Sequence, residues 1–308
     1  MIKLTFSGDL LVQSKTLESV KTAAGYDFDD IFRPCKQALN SDLLVGNLET
    51  PVAGEALGYT SERYRFNTPE SFLDTLRKTG FHMLTLANNH VMDRGEAGIL
   101  NTLAACRKYG FAVTGANDTP DEAQRICLQT VDGVRIAFVN YTYGTNAFHH
   151  HCFLSPEHRY MVNLYQPEET LPGSMEMLQS SETIAKSFYR LYMTDDPVYA
   201  VVQPYLTQLQ RDMQRAKAQA DLVVAVMHCG GQNNEAPDAY TRYIASLLRA
   251  YGADLIVGHH PHVVQSCEKA DGVETVFCLG NLLCWPEDAD EYNSQTYSAV
   301  LHAYVDER

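Results

Sequence analysis

Short apolar runs, each leading to a polar residue able to bind a cation, recur along this chain and restrict it to a layered α/β fold. Leu4-Thr5-Phe6 leads to Asp9, Leu43-Leu44-Val45 to Glu49, and Met83-Leu84-Thr85-Leu86 to Asn89 and His90. Leu222-Val223-Val224-Ala225-Val226 leads to His228, and Leu255-Ile256-Val257 to Gly258-His259-His260-Pro261-His262. Such runs read as parallel strands covered on both faces, because no alternate position is left for water. Amphipathic stretches lie between them, and helices are expected over residues 30–40, 69–79, 96–109, 201–220 and 239–251. Three of these stretches stop at Gly80, Gly110 and Gly252, the residue type that ends a helix most readily, and a strand-like run follows each. A layered sandwich fits this succession better than a barrel.

Two regions break the pattern. Residues 273–279 and 296–305 are strand-like with no helix between them, which predicts antiparallel strands closing a second sheet layer. From about 141 to 199 the periodicity fails in a segment rich in Tyr, His, Met and Pro, so a lid, a binding loop or an insertion is expected there, with one helix over 184–192.

The formal net charge of -14 over 308 residues argues against binding to nucleic acid or to an anionic membrane surface. Apolar residues at 45% and charged residues at 20% are those of an ordinary globular enzyme. The start at Met1 reads as a core strand, not as a signal peptide, and no run approaches the roughly 20 apolar residues that cross a bilayer. The 8 cysteines form no C-x-x-C pair and fall mostly in apolar segments, which suits reduced thiols. A cytoplasmic protein is expected.

In an α/β sheet the carboxyl ends of parallel strands are where ligands bind, because loops converge and helix N-termini point there. Asp9, Glu49, Asn89, His90, His228, His260 and His262 all occupy that position. Two carboxylates, an amide and several imidazoles suit divalent Mn, Zn or Fe, and a set this large suits two ions better than one. Taken singly, Asp9 also reads as a helix cap, Glu49 as a surface charge, Asn89 as part of a turn and His228 as a hydrogen-bonded core histidine. The three histidines of residues 258–262 have few such bland readings.

The ordered series Gly8-Asp9, Asn47-Leu48-Glu49, Asn88-Asn89-His90 with Asp93 and Gly95, His228-Cys229-Gly230, Gly258-His259-His260-Pro261-His262 and Leu279-Gly280-Asn281 resembles the CapA family of capsule or poly-gamma-glutamate biosynthesis proteins. The resemblance runs from about Ile2 to Leu283. It implies a calcineurin-like metallophosphatase fold, a four-layer α/β/β/α sandwich in a single domain over residues 1–308, with a lid or insertion at about 141–200. It further implies that Asp9 and His262 serve one divalent metal ion, that Asn89, His228 and His260 serve another, and that Glu49 bridges them. His90 is then the general acid, with Asp93 either fixing its tautomer or capping the helix that follows. His259 and Gln232 would support the ligands from behind. Two positions depart from the pattern. Asp9-Leu10-Leu11 lacks the histidine of a D-x-H opening, and Gln232 stands where H-x-G-x-E has its acid.

Arg63 and Arg65 follow Glu49 on one loop and could grip an anionic substrate, or be plain surface charges. His149, His150 and His151 read better as an exposed loop than as site residues. The expected function is a metal-dependent hydrolase acting on a small phosphoester through hydroxide activated by two metals. The alternatives are synthesis, transfer or amide cleavage of a gamma-glutamyl polymer, and a metal-stabilised binding protein without turnover. Nothing in the residues sets the oligomeric state.

Overall fold

A computed structural model of the chain describes residues 1–62, 64–168, 199–285 and 297–306. Its strands are β1 (Ile2–Leu10), β2 (Lys21–Thr22), β3 (Gly25–Tyr26), β4 (Leu43–Leu48), β5 (Met83–Thr85), β6 (Ala112–Thr114), β7 (Ile126–Val131), β8 (Val134–Thr142), β9 (Leu222–His228), β10 (Leu255–His259), β11 (Cys267–Ala270), β12 (Val273–Val276), β13 (Asn281–Leu283) and β14 (Leu301–Val305). The helices are α1 (Ser14–Ser19), α2 (Lys36–Leu39), α3 (Ser71–Thr79), α4 (Gly95–Lys108), α5 (Ala147–His150), α6 (Tyr199–Gln219) and α7 (Ala239–Ala250).

Two six-stranded sheets carry the structure, in the orders β13-β1-β4-β5-β6, with β14 also on β1, and β11-β12-β10-β9-β8-β7. Side-chain alternation explains how they stack. In β9, Val224 and Val226 face the other sheet, joining Ile2, Leu4, Phe6, Val45, Phe138 and Val257 in one core. Val223, Ala225 and Met227 face the opposite way, onto Leu209, Met213, Ile244 and Leu248 of α6 and α7. On the far side of the first sheet, Leu44 and Leu84 pack with Phe72, Leu76, Ile99 and Leu103 of α3 and α4. The result is the expected four-layer α/β/β/α sandwich. Strands buried on both faces need apolar residues at every position, and each fully buried Leu, Val or Phe contributes about 1.5–3 kcal/mol.

The helices fall close to their expected positions except the first. Only Lys36–Leu39 is helical within 30–40. Pro34 disfavours a helical conformation at Arg33, so turns occupy the segment before it. The C-terminal strands also differ from expectation. β12 runs parallel to β10 within the second sheet, whereas β14 runs antiparallel to β1 and completes the first. The stretch after residue 141 is more ordered than its irregular composition suggests: β8 extends through Thr142, and Met161, Val162, Leu164 and Tyr165 are buried. The helix expected over 184–192 lies outside the described residues. Among the described residues no helix is long and apolar enough to cross a membrane.

Candidate metal centre

Strand register lays out the site before any side chain is considered. Across the first sheet Asp9 pairs with Asn281 on one side and with Asn47 on the other. Across the second, His228 pairs with Thr142 and with His259. Apart from Asn281, which begins β13, these two rows lie at the carboxyl ends of parallel strands, and the loops that follow carry Asn89, His90, His260 and His262. Two glycines let the strands approach. A Cβ at Gly8 would overlap the Gly280 carbonyl oxygen, and one at Gly258 the Phe277 carbonyl oxygen.

The side chains form two groups that share one carboxylate. Glu49, His228 and His260 offer ligand atoms within 4.8 Å of one another, and so do Asp9, Glu49 and His262; all are buried. Glu49 Oε1 stands 3.5 Å from His228 Nε2 and 3.5 Å from His262 Nε2. Asn89 Oδ1 joins the first group, 2.9 Å from His228 Nε2. The structure thus brings together all six residues expected as ligands, with Glu49 between the two groups.

Two of the histidines adopt unusual backbone conformations to get there. His260 has φ 99° and His262 φ 60°, left-handed values that cost a non-glycine residue about 1–3 kcal/mol each. Pro261 between them keeps the turn tight. His259 is still in β10, and its Nδ1 lies 2.7 Å from Asp9 Oδ1.

Several observations fit a buried cation. Asp9 Oδ2 and Asn281 Oδ1 lie 3.1 and 2.9 Å from His262 Nδ1, so that nitrogen carries the proton and Nε2 presents a bare lone pair towards Glu49 Oε1. Glu49 Oε1 and His260 Nδ1 are both buried with no hydrogen-bond partner among the described residues. Burial, and then the neighbouring imidazoles, hold His228 and His260 well below the usual histidine range, so both stay in the neutral form that binds a metal. Burial and the adjacent Asp9 push Glu49 well above the carboxylate range. Burial also opposes charge on Asp9, but His259 and His262 outweigh it and hold that carboxyl well below its usual value. A lone pair, an unpartnered carboxylate oxygen and a second carboxylate in one buried space repel one another unless a cation lies among them.

His90 sits beside the first group. Its Nδ1 donates to Asp93 Oδ2 at 2.8 Å, its ring packs 4.4 Å from Phe66, and Asp93 Oδ2 also accepts the Phe66 amide at 2.6 Å. The Asp93 side chain therefore fixes the imidazole instead of capping α4. Burial works against the Asp93 charge, yet His90, His150 and the Phe66 amide keep it below the usual carboxylate range.

The other expected positions divide. Arg65 is half-buried and donates from Nε to the Asp93 carbonyl at 3.1 Å, beside His90. Arg63 lies outside the described residues. Gln232 lies exposed on a turn. Gly230 takes φ 108°, Asp238 Oδ2 accepts the Gly231 amide at 2.8 Å, and the Asn233 amide donates to the Pro261 carbonyl at 2.9 Å, which ties that loop to the histidine turn. Glu235 is exposed on the same loop.

Asn47, unassigned from sequence, is the hub of the buried network. Its amide lies 2.8 Å from Asp9 Oδ1, 3.3 Å from Glu49 Oε2 and 3.4 Å from His228 Nδ1. The signal was present, since residues two apart on a strand share a face. Asn281, Tyr143 and Asn146 were also missed: Tyr143 packs 4.7 Å from the His260 ring, and Asn146 Oδ1 accepts from Asn89 Nδ2 at 3.2 Å. His150, expected on an exposed loop, is instead half-buried, with its side chain largely covered and Nε2 3.2 Å from Asp93 Oδ1.

The four-layer α/β/β/α sandwich, with a buried histidine and carboxylate cluster at its strand ends, is the arrangement that the family resemblance implies. The chain belongs to the family described as "Bacterial capsule synthesis protein PGA_cap", which matches residues 3–285. It is 28% identical over 286 residues to the capsule biosynthesis protein CapA of Bacillus anthracis, covering 92% of this chain and 59% of that protein. It is 26% identical over 290 residues to the PGA biosynthesis protein CapA of Bacillus subtilis (strain 168), covering 92% of this chain and 63% of that one. The chain thus spans less than two-thirds of the length of these curated relatives. A hypothetical protein from Thermus thermophilus superposes with a TM-score of 0.45 at 17% identity, over 91% of this chain and 77% of that one.

Proposed function

We propose that this protein is a metal-dependent hydrolase of phosphoester-type substrates, built on a centre for two divalent cations. The observation that carries this reading is the single Glu49 oxygen standing 3.5 Å from histidines of both groups. Asp9, Glu49 and His262 would hold one ion, and Glu49, Asn89, His228 and His260 the other. Bound there, such ions would make water nucleophilic near neutral pH and offset charge on the group being transferred. The chain's own residues do the rest. His90, with Nδ1 held by Asp93, presents Nε2 for proton delivery to a leaving oxygen. Arg65 beside Asp93 offers a guanidinium for an anionic substrate in a chain otherwise strongly acidic. Asn47 and His259 orient Asp9 by two contacts to its Oδ1.

A second reading follows from the family description and the relatives' names: the same centre would act on a gamma-glutamyl polymer, where the bond is an amide. One experiment separates the two. Metals in the purified protein are measured by elemental analysis, and a phosphomonoester, a phosphodiester and a gamma-glutamyl peptide are assayed with Mn, Zn and Fe. Turnover of the peptide alone overturns the phosphoester reading. Undiminished rates in His90→Ala and His260→Ala overturn both, and bound metal without turnover of any substrate leaves a binding protein.

A further inference from the structure

We infer that His150 is a positioning residue for His90, acting through Asp93, and that residues 145–154 form the clasp that delivers it; this rests on the reading of His90 as proton donor. Asp93 is buried and has two oxygens with different tasks. Oδ2 is fully engaged, by the Phe66 amide at 2.6 Å and by His90 Nδ1 at 2.8 Å. Oδ1 faces His150 Nε2 at 3.2 Å, close enough for a hydrogen bond but not in line for one. Neither Oδ1 nor His150 Nε2 has a hydrogen-bond partner elsewhere among the described residues, and the His150 side chain is only 6% exposed. Two complementary buried atoms at that distance need only a small rotation to pair, and leaving both unpaired costs about 1–3 kcal/mol.

The segment that carries His150 is fixed at both ends. Asn146 and His151, on either side of α5, take left-handed φ values of 55° and 49°. Glu168 is buried and ties the segment together, accepting the Thr145 hydroxyl and, at 3.0 Å, the Leu154 amide. Asn146 meanwhile accepts from Asn89 Nδ2 at 3.2 Å. One clasp therefore touches the residue immediately before His90 and the carboxylate that orients it. When His150 donates to Oδ1, the Asp93 carboxylate is held at both oxygens, its plane is set, and His90 stays anchored through Nδ1–H with Nε2 as the nitrogen that carries the transferred proton towards the substrate.

The test combines kinetics with a readout that needs no turnover. On the Zn-loaded protein, the His90 Nδ1 proton is assigned in an NMR spectrum by its loss in His90→Gln. His150→Ala should broaden or shift that resonance, and His150→Gln, which restores a donor near the Nε2 position, should largely return it. With aryl phosphates, His150→Ala should lower kcat about tenfold or more for phenyl phosphate. The loss should stay under about threefold for 4-nitrophenyl phosphate, whose leaving group needs little protonation, with KM and bound zinc unchanged. An unaltered His90 resonance in a folded, zinc-replete His150→Ala protein overturns the inference, whatever the activity. Equal losses for both leaving groups overturn it too. If the wild type turns over no phosphoester, the functional reading fails while the resonance still decides the role of His150.

Discussion

Replacing Glu49 by Gln should move stability in opposite directions with and without metal. The carboxylate is fully buried, lies 3.5 Å from Nε2 of both His228 and His262, and accepts a 3.3 Å contact from Asn47 on its other oxygen. Without metal its folded pKa is raised, so the folded state binds the proton more tightly than the unfolded chain. Stability from this group is therefore greatest at low pH, and it falls as pH rises from about 4.3, the unfolded value, to the folded value. The loss is at most about 1.4 kcal/mol per pH unit. Gln has no such titration, and its amide can donate to the bare Nε2 of His262. In EDTA-treated protein, urea unfolding at pH 8 should thus show Glu49→Gln more stable than wild type, with the difference shrinking towards pH 4. With metal the sign reverses. Losing even a supporting residue weakens metal binding about 10–100-fold, and a carboxylate shared by two ions should cost at least the upper figure, or about 2.7 kcal/mol of linked stabilisation at saturating metal. Elemental analysis should show fewer than two ions retained after dialysis. Equal destabilisation by Glu49→Gln in EDTA-treated and metal-loaded protein would refute the assignment of Glu49 as a shared ligand.

Three further outcomes test the framework around the site. Asp212 is fully buried and accepts from Arg125 Nε at 2.7 Å, Tyr141 at 2.5 Å and Gln208 at 3.1 Å. Asp212→Ala strands a buried guanidinium and should cost about 3–5 kcal/mol in urea unfolding, and a loss below about 1 kcal/mol would contradict the buried pair. In Gly258→Ala the new methyl overlaps the Phe277 carbonyl oxygen, so β10 must shift. We expect a loss of about 1–3 kcal/mol and weaker metal retention, and unchanged retention would show that the histidine turn tolerates the shift. Cys267 is exposed, whereas Cys106 is buried and its thiol is pushed up to about 12. A thiol reagent should modify Cys267 in the folded protein and reach Cys106 only after unfolding; mass spectrometry of the peptides reads the order.

What could be read from the sequence follows from where each constraint acts. Leu222–His228 and Leu255–His259 were recognisable as strands because both of their faces are covered, which forces an unbroken apolar run. Ligand chemistry at their ends was visible for the same reason, since parallel strands place successive carboxyl ends along one edge. The sheet to which Leu301–Val305 belongs was not visible, because its register is set by Ile2–Phe6 at the other end of the chain, a long-range pairing with no local trace. The clasp was hidden in the same way. His150 owes its burial to left-handed turns and to Glu168, neither of which leaves a period to count.

The histidine turn shows where the two kinds of constraint meet. A continued strand would point His259 and His260 to opposite faces and send His262 to the same face as His260. The chain leaves β10 at His259, and His260 and His262, both at positive φ, still reach Glu49, one in each group. The alternation of a strand already sets His259, which buttresses Asp9, apart from His260 and His262; the strained turn after His259 carries those two rings to different groups. Such strain persists only where surrounding packing over-determines it. Gly258 pressed against the Phe277 carbonyl, and Asp9 braced by His259, are the parts of the fold that supply that packing.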